Sequence, residues 1–152
     1  MLRLTPIQRA ADGLGTALWQ VTVAWQQAMR AVLEPHNLTH AQFVLLTSVQ
    51  WLSEHEQPPT PQRIAEHAGI DAAVIGQVLR RLAARQLVNR ELDDQDPKAR
   101  LIVLTDSGRS VLADALSDVE TTDQEFFAAL GTDAPAFARG LTALRDSVNH
   151  AG

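Results

Sequence analysis

Small and hydrogen-bonding residues recur at helical spacing in the middle of the chain, at Ala73, Gly76, Gln77 and Arg80. A glycine inside a helix costs about 1 kcal/mol relative to alanine, so its presence there needs a reason. A helix that enters the major groove of DNA presents small residues for close approach, a Gln that can recognise adenine and an Arg that can recognise guanine or hold phosphate. The pattern favours a DNA-recognition helix. The alternative is a solvated helix face with an incidental glycine.

A second polar cluster lies further along the chain, at Asp96, Lys98 and Arg100, between two strand-like runs. As the tip of a hairpin, this cluster would place Lys98 or Arg100 in a minor groove, where narrow A·T tracts concentrate negative potential. Asp96 is then expected to pair with a nearby Arg and hold the tip in place. Further acids surround the two cations, namely Glu91, Asp93 and Asp94. As a solvated turn, the same stretch would need no function.

The residue types give little support to catalysis or metal binding. The chain has no cysteine, which excludes disulfides, thiolate zinc sites and thiol catalysis. His36 and His40 are separated by a loop and a helix start, and His55 and His67 are isolated, so no metal site is predicted. There is no Gly-x-Ser-x-Gly turn and no glycine-rich phosphate loop. We expect a protein that is not an enzyme and that uses no cofactor.

The charge balance restricts nucleic-acid binding to one part of the chain. The 152 residues carry 13 Lys and Arg against 18 Asp and Glu, and the formal net charge of −5 argues against a basic footprint over the whole molecule. Residues 58–109 hold eight cations and seven acids, a net charge of +1, and the remaining residues hold five and eleven, a net charge of −6. Nucleic acid therefore stays a candidate partner for the middle of the chain.

The length suits a single domain, 1–152, with a sizeable core. No stretch reaches the roughly 18 apolar residues of a membrane helix, and the first residues lack the pattern of a signal peptide. We expect a soluble, cytoplasmic protein.

Capping signals divide the first third of the chain into helices. Thr5 followed by Pro6 opens a long amphipathic helix that ends at Pro35. Thr39 and Gln42 form the pattern of a capping box, which opens a second helix to about Ser53. A polar loop from Glu54 to Pro59 follows.

Two short helices joined by a tight turn come next. Thr60 and Pro61 open the first, Gly69 ends it, and Asp71 caps the second. The expected buried stripe of this second helix consists of Val74, Ile75, Val78, Leu79 and Leu82. This is the pattern of a helix-turn-helix.

The period then changes to that of strands, in residues 88–92 and 101–104. Thr105 caps a further helix, Gly131 is expected to stop it, and a last helix begins near residues 132–135. The inward-facing residues of the first of these helices are expected to be Val111, Leu112, Ala115, Leu116, Val119, Phe126, Phe127 and Leu130. The predicted fold class is mainly α with a small β-hairpin wing, a winged helix-turn-helix flanked by terminal helices.

Several short motifs follow this order of elements. They are Leu-Thr-His-Ala-Gln-Phe at 38–43, Ile-Ala at 64–65 leading to Gly-Ile at 69–70, Val-Leu-Arg-Arg-Leu at 78–82, Leu-Val-Asn-Arg at 87–90, Asp-Pro-Lys at 96–98 and Leu-Thr-Asp-Ser-Gly at 104–108. Together they resemble the multiple antibiotic resistance regulator (MarR) family over nearly the whole chain. The resemblance implies a homodimeric winged-helix transcription regulator, usually a repressor, that binds palindromic operator DNA.

The resemblance also implies roles for individual residues. It assigns residues 38–109 to DNA binding and 5–34 and 106–149 to dimerisation. The implied DNA contacts are Thr60 and Gln62 to phosphate, Ala73, Gln77, Arg80 and Arg81 in the major groove, and Lys98 and Arg100 on a wing oriented by Asp96. The implied dimer interface includes Leu14, Leu18, Phe137, Leu141 and Leu144.

Two positions depart from the family pattern. Lys98 stands where the wing motif has Arg, which keeps the charge and loses the planar guanidinium, so Arg100 is a candidate for the minor-groove contact. Gln86 stands where a glycine commonly ends the recognition helix, and a left-handed backbone there would carry a small steric cost.

Family members often bind a small aromatic or phenolic effector between the dimer helices and the winged part. Residues that could line such a pocket here are Trp19, Trp25, His40, Phe43 and Trp51. The alternative for these side chains is ordinary core packing. For the whole chain, the alternative to a DNA-binding regulator is a winged-helix protein-interaction module without DNA binding, which the acidic wing favours.

Overall fold

Six α-helices and one β-hairpin make up the part of the chain that the computed structural model describes, residues 6–151 for the backbone and 13–151 for the side chains. In chain order they are α1 (Pro6–Leu33), α2 (His40–His55), α3 (Pro61–Ala68), α4 (Ala72–Ala84), β1 (Val88–Leu92), β2 (Arg100–Leu104), α5 (Asp106–Phe127) and α6 (Ala134–His150). Short 3-10 helices occupy Glu34–His36 and Ala128–Asp133. This architecture confirms the predicted fold class.

The residues group into two compact units, and the division falls within α5, between Val119 and Glu120. Thr5, the expected cap of the first helix, lies outside the described residues. None of the described helices combines the length and the apolarity that crossing a membrane requires.

The first helix boundary after α1 forms as its sequence predicts. Thr39 Oγ1 accepts a hydrogen bond from Gln42 N at 3.1 Å, and Thr39 N donates one to Gln42 Oε1 at 3.0 Å, which is the predicted capping box. Helix α2 continues to His55, so the loop begins at Glu56 and not at Glu54 as expected.

The helix-turn-helix also has its predicted caps. Thr60 Oγ1 accepts from Arg63 N at 3.2 Å at the start of α3, and Gly69 ends that helix with a left-handed φ of 67°. Asp71 Oδ1 accepts from Ala73 N at 2.8 Å at the start of α4. The caps fix the entry and exit of both helices, and so they set the tight turn between them.

The core of the winged part forms where α2, α4 and the hairpin meet. Helices α1, α3 and α5 also contribute, and the fully buried side chains are Met29, Leu33, Leu45, Leu46, Val49, Leu52, Ile64, Ile75, Leu79, Leu82, Ile102 and Leu112. The expectation that Val74 shares this core is wrong, since the structure leaves its side chain 43% exposed. Val74 precedes Ile75 and lies about 100° round the helix from it, a rotation that takes it out of the buried stripe.

The wing is an antiparallel pair in which Val88 lies opposite Leu104 and Leu92 lies opposite Arg100. β2 begins at Arg100, one residue earlier than expected. Ile102 N donates a hydrogen bond to Pro59 O at 2.8 Å. This bond attaches the hairpin to the segment that leads into α3.

A close backbone approach explains the Leu-Thr-x-x-Gly motif at 104–108. Thr105 Oγ1 donates to Gln86 O at 2.7 Å and accepts from Gly108 N at 2.9 Å. A Cβ on Gly108 would lie 2.0 Å from Leu87 O, so only glycine fits there. Gln86 itself has φ 59°, the left-handed backbone expected at the end of α4.

Helix α5 buries fewer residues than its apolar pattern predicts. Leu112, Ala115 and Val119 are buried, whereas the other residues predicted to face inward, Val111, Leu116, Phe126, Phe127 and Leu130, are half-buried. The α-helix ends at Phe127, before Gly131, whose φ of 54° and ψ of −125° interrupt the following 3-10 helix.

Candidate nucleic-acid interface

The start of α3 offers a hydroxyl and an amide near the wing. A shallow cavity of about 320 Å³ is lined by Thr60, Gln62 and Leu101 and also by three acids, Glu56, Glu66 and Asp93. Proline is the first residue of α3, and the N–H of Gln62 belongs to the first turn, whose amides have no partner within a helix. Helix N-termini of this kind bind phosphate oxygens.

The solvent face of α4 carries most of the predicted recognition residues. Ala73, Gln77, Arg80 and Arg81 are exposed, and a cleft of about 390 Å³ is lined by Gln77, both arginines and Ala84. Gly76 is half-buried at the margin of this face. The structure therefore brings the predicted major-groove residues together on one side of one helix.

The two arginines of this face carry charge that the rest of the winged part does not neutralise. Among residues 13–151, neither Arg80 nor Arg81 forms an ion pair or a side-chain hydrogen bond. Nη1 of Arg80 lies 3.8 Å from the position a Cβ would take on Gly76, so the guanidinium folds back along the helix. Asp71, the nearest acid on the helix, is engaged as its cap.

The acids of the wing tip hold its turn. Asp96 Oδ1 accepts a hydrogen bond from Lys98 N at 3.0 Å, and Asp93 Oδ1 accepts one from Gln95 N at 2.9 Å. The expected pairing of Asp96 with an Arg is wrong for the described residues. The carboxylate of Asp96 instead accepts the backbone N–H of Lys98, two residues on, within the turn. Asp96 thus orients the tip through the main chain.

The two wing cations differ in what they contact. Arg100 Nη1 donates to the carbonyl oxygens of Pro97 and Ala99 at 3.3 and 3.4 Å, which folds its guanidinium onto the tip. The ammonium of Lys98 has no side-chain partner among the residues that the structure describes, and the side chain is exposed.

Arg63, which the charge count includes, is already paired. Its Nε and Nη2 donate to the two carboxylate oxygens of Glu56 at 3.1 and 2.7 Å. These hydrogen bonds lower the pKa of the Glu56 carboxyl below its usual value, and the same contact raises the pKa of Arg63. Arg63 therefore adds less to the positive potential of the winged part than its formal charge suggests.

Arg85, at the end of α4, is a structural residue that the sequence did not reveal. Its Nη1 donates to Asn37 O at 2.7 Å and to the Gln42 side chain at 3.3 Å. Asn37 has a left-handed backbone with φ 54°. The guanidinium ties the end of the recognition helix to the turn before α2, and nothing in the residue pattern signals this contact across 48 positions.

Known proteins share both the sequence pattern and the fold. Residues 38–99 match the MarR family. The HTH-type transcriptional regulator YdcH of Bacillus subtilis is 36% identical over 115 residues, which cover 76% of this chain and 78% of YdcH. The chain belongs to the MarR family.

Solved structures of MarR-family regulators have the same fold. A mutant of MarR from Escherichia coli, crystallised with operator DNA, superposes with a TM-score of 0.77 at 22% identity, covering 91% of this chain and 97% of that one. BpsR of Bordetella bronchiseptica, whose DNA binding is regulated by 6-hydroxynicotinic acid, gives a TM-score of 0.79 at 24% identity, covering 87% and 92%. Members of this family are transcriptional regulators, which confirms that the chain is not an enzyme.

The residues predicted to line a MarR-type effector pocket differ in burial and in their contacts. The rings of Trp25 and His40 meet edge to face with centroids 5.1 Å apart. Phe43 is buried in the core, and Trp51 lies further along α2 with its indole partly exposed. Trp19 on α1 is exposed. The structure therefore brings Trp25 and His40 together, and Trp25 packs against the buried cluster that includes Phe43, whereas Trp51 stacks with other residues and Trp19 is exposed.

Two of the histidines are less isolated than the sequence suggests. The rings of His55 and His67 stack on Trp51, with centroids 4.3 and 4.9 Å from the indole. His36 Nε2 contacts Asp118 Oδ2 at 2.7 Å. Over the described residues there is no group of three or more His, Asp or Glu that could hold a metal ion.

Proposed function

We propose that this MarR-family regulator binds an inverted-repeat operator as a homodimer and represses transcription from it. The observation that carries the proposal is the exposed face of α4, where Gln77 stands beside Arg80 and Arg81, two cations without partners among the described residues. Gln can bond an adenine edge in a bidentate way, and Arg can do so with guanine or hold phosphate. A regulator of this kind acts where the chromosome is, so the proposed location is the cytoplasm.

The proposed contacts around this face follow its geometry. Ala73 permits close approach in the major groove, Thr60 and Gln62 bond phosphate through hydroxyl, side-chain amide and backbone N–H, and the wing enters the minor groove. Because the Arg100 guanidinium is folded onto the tip and the Lys98 ammonium is unpaired within the described residues, Lys98 is the better placed of the two for the groove.

Exposed apolar residues support the proposed dimer. Leu14 and Leu18 of α1 are exposed, as are Phe137, Leu141 and Leu144 of α6. Stripes of this kind on a soluble protein mark interaction surfaces. We assign residues 5–34 and 106–149 to the dimer interface and residues 38–109, called the winged head below, to DNA, within a single domain of residues 1–152.

A small aromatic effector is part of the proposal. Its support is the Trp25–His40 contact and the regulation of BpsR by 6-hydroxynicotinic acid. An aromatic acid bound beside these rings would shift the spacing of the two recognition helices and release the operator.

Selection of bound sequences from a random pool of duplex DNA tests the core of the proposal. We expect an inverted repeat whose half-sites lie about one helical turn, roughly 34 Å, apart. Affinity for the selected site should fall steeply as salt rises, because several phosphates per protomer are neutralised.

The acidic wing favours one other function, since Glu91 and Asp94 are exposed and repel phosphate. A protein-interaction module would enrich no sequence and would show flat or absent DNA binding at about 50 mM salt. That result would overturn the regulator proposed here.

Arg80→Ala tests the role of the recognition face. We expect a loss of about 1–3 kcal/mol in operator binding and a relaxed preference at one base pair of each half-site. Arg139→Ala is the matched control, because it removes an exposed cation on the side of α6 opposite Leu141, and it should leave the selected motif unchanged. An unchanged motif for Arg80→Ala would limit Arg80 to phosphate contact.

A further inference from the structure

Val74 is an exposed apolar residue on the first turn of α4. Its side chain is 43% exposed, while Ile75, Leu79 and Leu82 of the same helix are fully buried. A β-branched residue on an exposed helix position contributes little to helix stability, because its χ1 freedom is restricted there. The fold of the single chain therefore offers no reason for a valine at this position.

The surroundings of Val74 are those of the proposed recognition face. Ala73 and Gln77 are exposed on adjacent positions of the helix, and Arg81 follows Val74 by two turns on the same side. The side chain of Asp71 is bonded to Ala73 N and caps the helix, so it leaves the apolar group uncovered. In a helix-turn-helix, residues near the N-terminus of the recognition helix contact base edges.

The two methyl groups of valine match one feature of the major groove. Thymine is the base that carries a methyl group on that edge, and small apolar side chains contact it. The adenine paired with a thymine presents the donor and acceptor that a Gln side chain can bond in a bidentate way. Val74 and Gln77, three positions apart on the helix, thus offer complementary chemistry to neighbouring A·T pairs.

We propose that Val74 determines specificity by packing against the C5-methyl group of a thymine in each operator half-site. This inference rests on the proposed DNA-binding function, and it specifies one base that is recognised and the residue that recognises it. Removal of either the methyl group of the base or the side chain of Val74 should cost the same interaction, so the two losses should not add.

The experiment replaces the thymines of the selected operator one symmetric pair at a time with 2′-deoxyuridine, which lacks only the C5-methyl group. For the wild-type protein we expect weaker binding at one position of the half-site, by about fourfold per half-site, the factor that burial of one CH₂ supplies. Val74→Ala should bind the unmodified operator with the same reduced affinity and should show no further loss at that position. Binding is measured by fluorescence anisotropy of labelled duplexes.

Two further measurements separate this role from a structural one. Val74→Thr, which keeps one methyl group, should lose less affinity than Val74→Ala. The thermal midpoint of Val74→Ala should equal or exceed that of the wild type, because alanine is the better helix former. A lower midpoint with an equal loss of affinity on every operator would instead assign Val74 to the fold.

The result that overturns the inference is a wild-type protein that binds every deoxyuridine operator as tightly as the unmodified one. Failure of the underlying function is distinguishable, because a protein that is not a DNA-binding regulator selects no operator in the first step. An operator that retains its methyl dependence in Val74→Ala would show that another side chain makes the contact.

Discussion

The winged head and the terminal helices both carry apolar residues at helical spacing, but these residues differ in how far the chain itself buries them. In the winged head, the stripes of α2 and α4 are buried against each other, the hairpin and the first part of α5. Helix α1 buries Met29 and Leu33 near its C-terminal end but leaves Leu14 74% exposed, and α6 leaves Leu144 59% exposed. Apolar residues at helical spacing thus predict a buried helix face, but they do not indicate whether the same chain or a second chain buries it.

Charge is also unevenly distributed. Residues 58–109 have a net charge of +1 and the rest of the chain has −6, whereas the winged head as a whole, which also includes Glu54 and Glu56, has −1. Within the winged head, Arg63, Arg85 and Arg109 are bonded to neighbouring groups of the protein. Arg80 and Arg81 of α4 and Lys98 of the wing therefore carry the positive charge that stays unpaired, among the described residues, on the face that we assign to DNA, and DNA affinity should depend on these few side chains.

The largest effect is expected from a charged residue among the exposed apolar residues of α6, which are Phe137, Leu141 and Leu144. Leu141→Asp should shift a dimer to monomers, because each lost leucine contact is worth about 1.5–3 kcal/mol and a symmetric dimer loses two of them. That is about a hundredfold or more in dimer dissociation. Sedimentation velocity measures the outcome.

Ala143→Asp is the matched control, since residue 143 lies on the opposite side of α6 from residue 141. It should leave the oligomeric state unchanged. If the wild type sediments as a monomer, or if both variants behave alike, the exposed stripes are not a dimer interface.

The next largest effect lies inside the winged head, at Gly108. Gly108→Ala places a Cβ 2.0 Å from Leu87 O, a backbone atom that cannot move aside cheaply. We expect a loss of about 3 kcal/mol in the free energy of unfolding, measured by denaturant titration. Gly140→Ala in α6, where a Cβ meets nothing within 4 Å, should be neutral or slightly stabilising. Equal effects at both glycines would contradict the close approach.

A smaller gain in stability is expected at the end of the recognition helix. Gln86→Gly should raise the free energy of unfolding by about 1 kcal/mol, because Gln86 holds a left-handed φ of 59° that glycine adopts without a steric penalty. Asn37→Gly, at φ 54°, should gain less, since asparagine tolerates this conformation. A loss of stability in Gln86→Gly would show that the Gln side chain has a role of its own.

The smallest effect concerns the Arg63–Glu56 pair on the surface of the winged head. The pKa of Glu56 is lowered in the folded protein, so its contribution to stability is present above the unfolded pKa and is lost as the pH falls through the folded value. Carboxyl NMR titration should show a lowered pKa for Glu56 that returns toward its usual value in Arg63→Gln. Arg90→Gln should leave that titration unchanged, and a shift there would point to a general charge effect.

Local features of the winged head were accessible from the sequence. The capping box at Thr39, the caps at Thr60 and Asp71, and the glycine turn at Gly69 all form as their residue types predict. Each depends on atoms within a few residues of one another, so the pattern of types contains the physical cause. The left-handed Gln86 was expected only from the family resemblance, because its residue type does not favour that backbone conformation.

Features that join distant segments were not accessible in this way. Arg85 meets Asn37 and Gln42, and Trp51 meets His67, only because the core brings α2, α3 and α4 together. Asp96 is a different case: we expected it to pair with an Arg, but its carboxylate accepts the N–H of Lys98 two residues on, a local turn bond that competes with the ion pair.

The sequence by itself determined the order of the elements, their boundaries to within a few residues, the caps, the family and the helix that faces outward with Gln77, Arg80 and Arg81. These depend on local hydrogen bonding and on the hydrophobic period, and both are set by residues that are close together in the sequence. Only the tertiary structure decided that Gly108 is needed against Leu87, that Arg63 and Arg85 are engaged by the protein and that Val74 is left exposed. Burial and pairing depend on which elements pack against each other. The helical period of apolar residues identifies the buried face of a helix, but it does not identify the element that packs on that face.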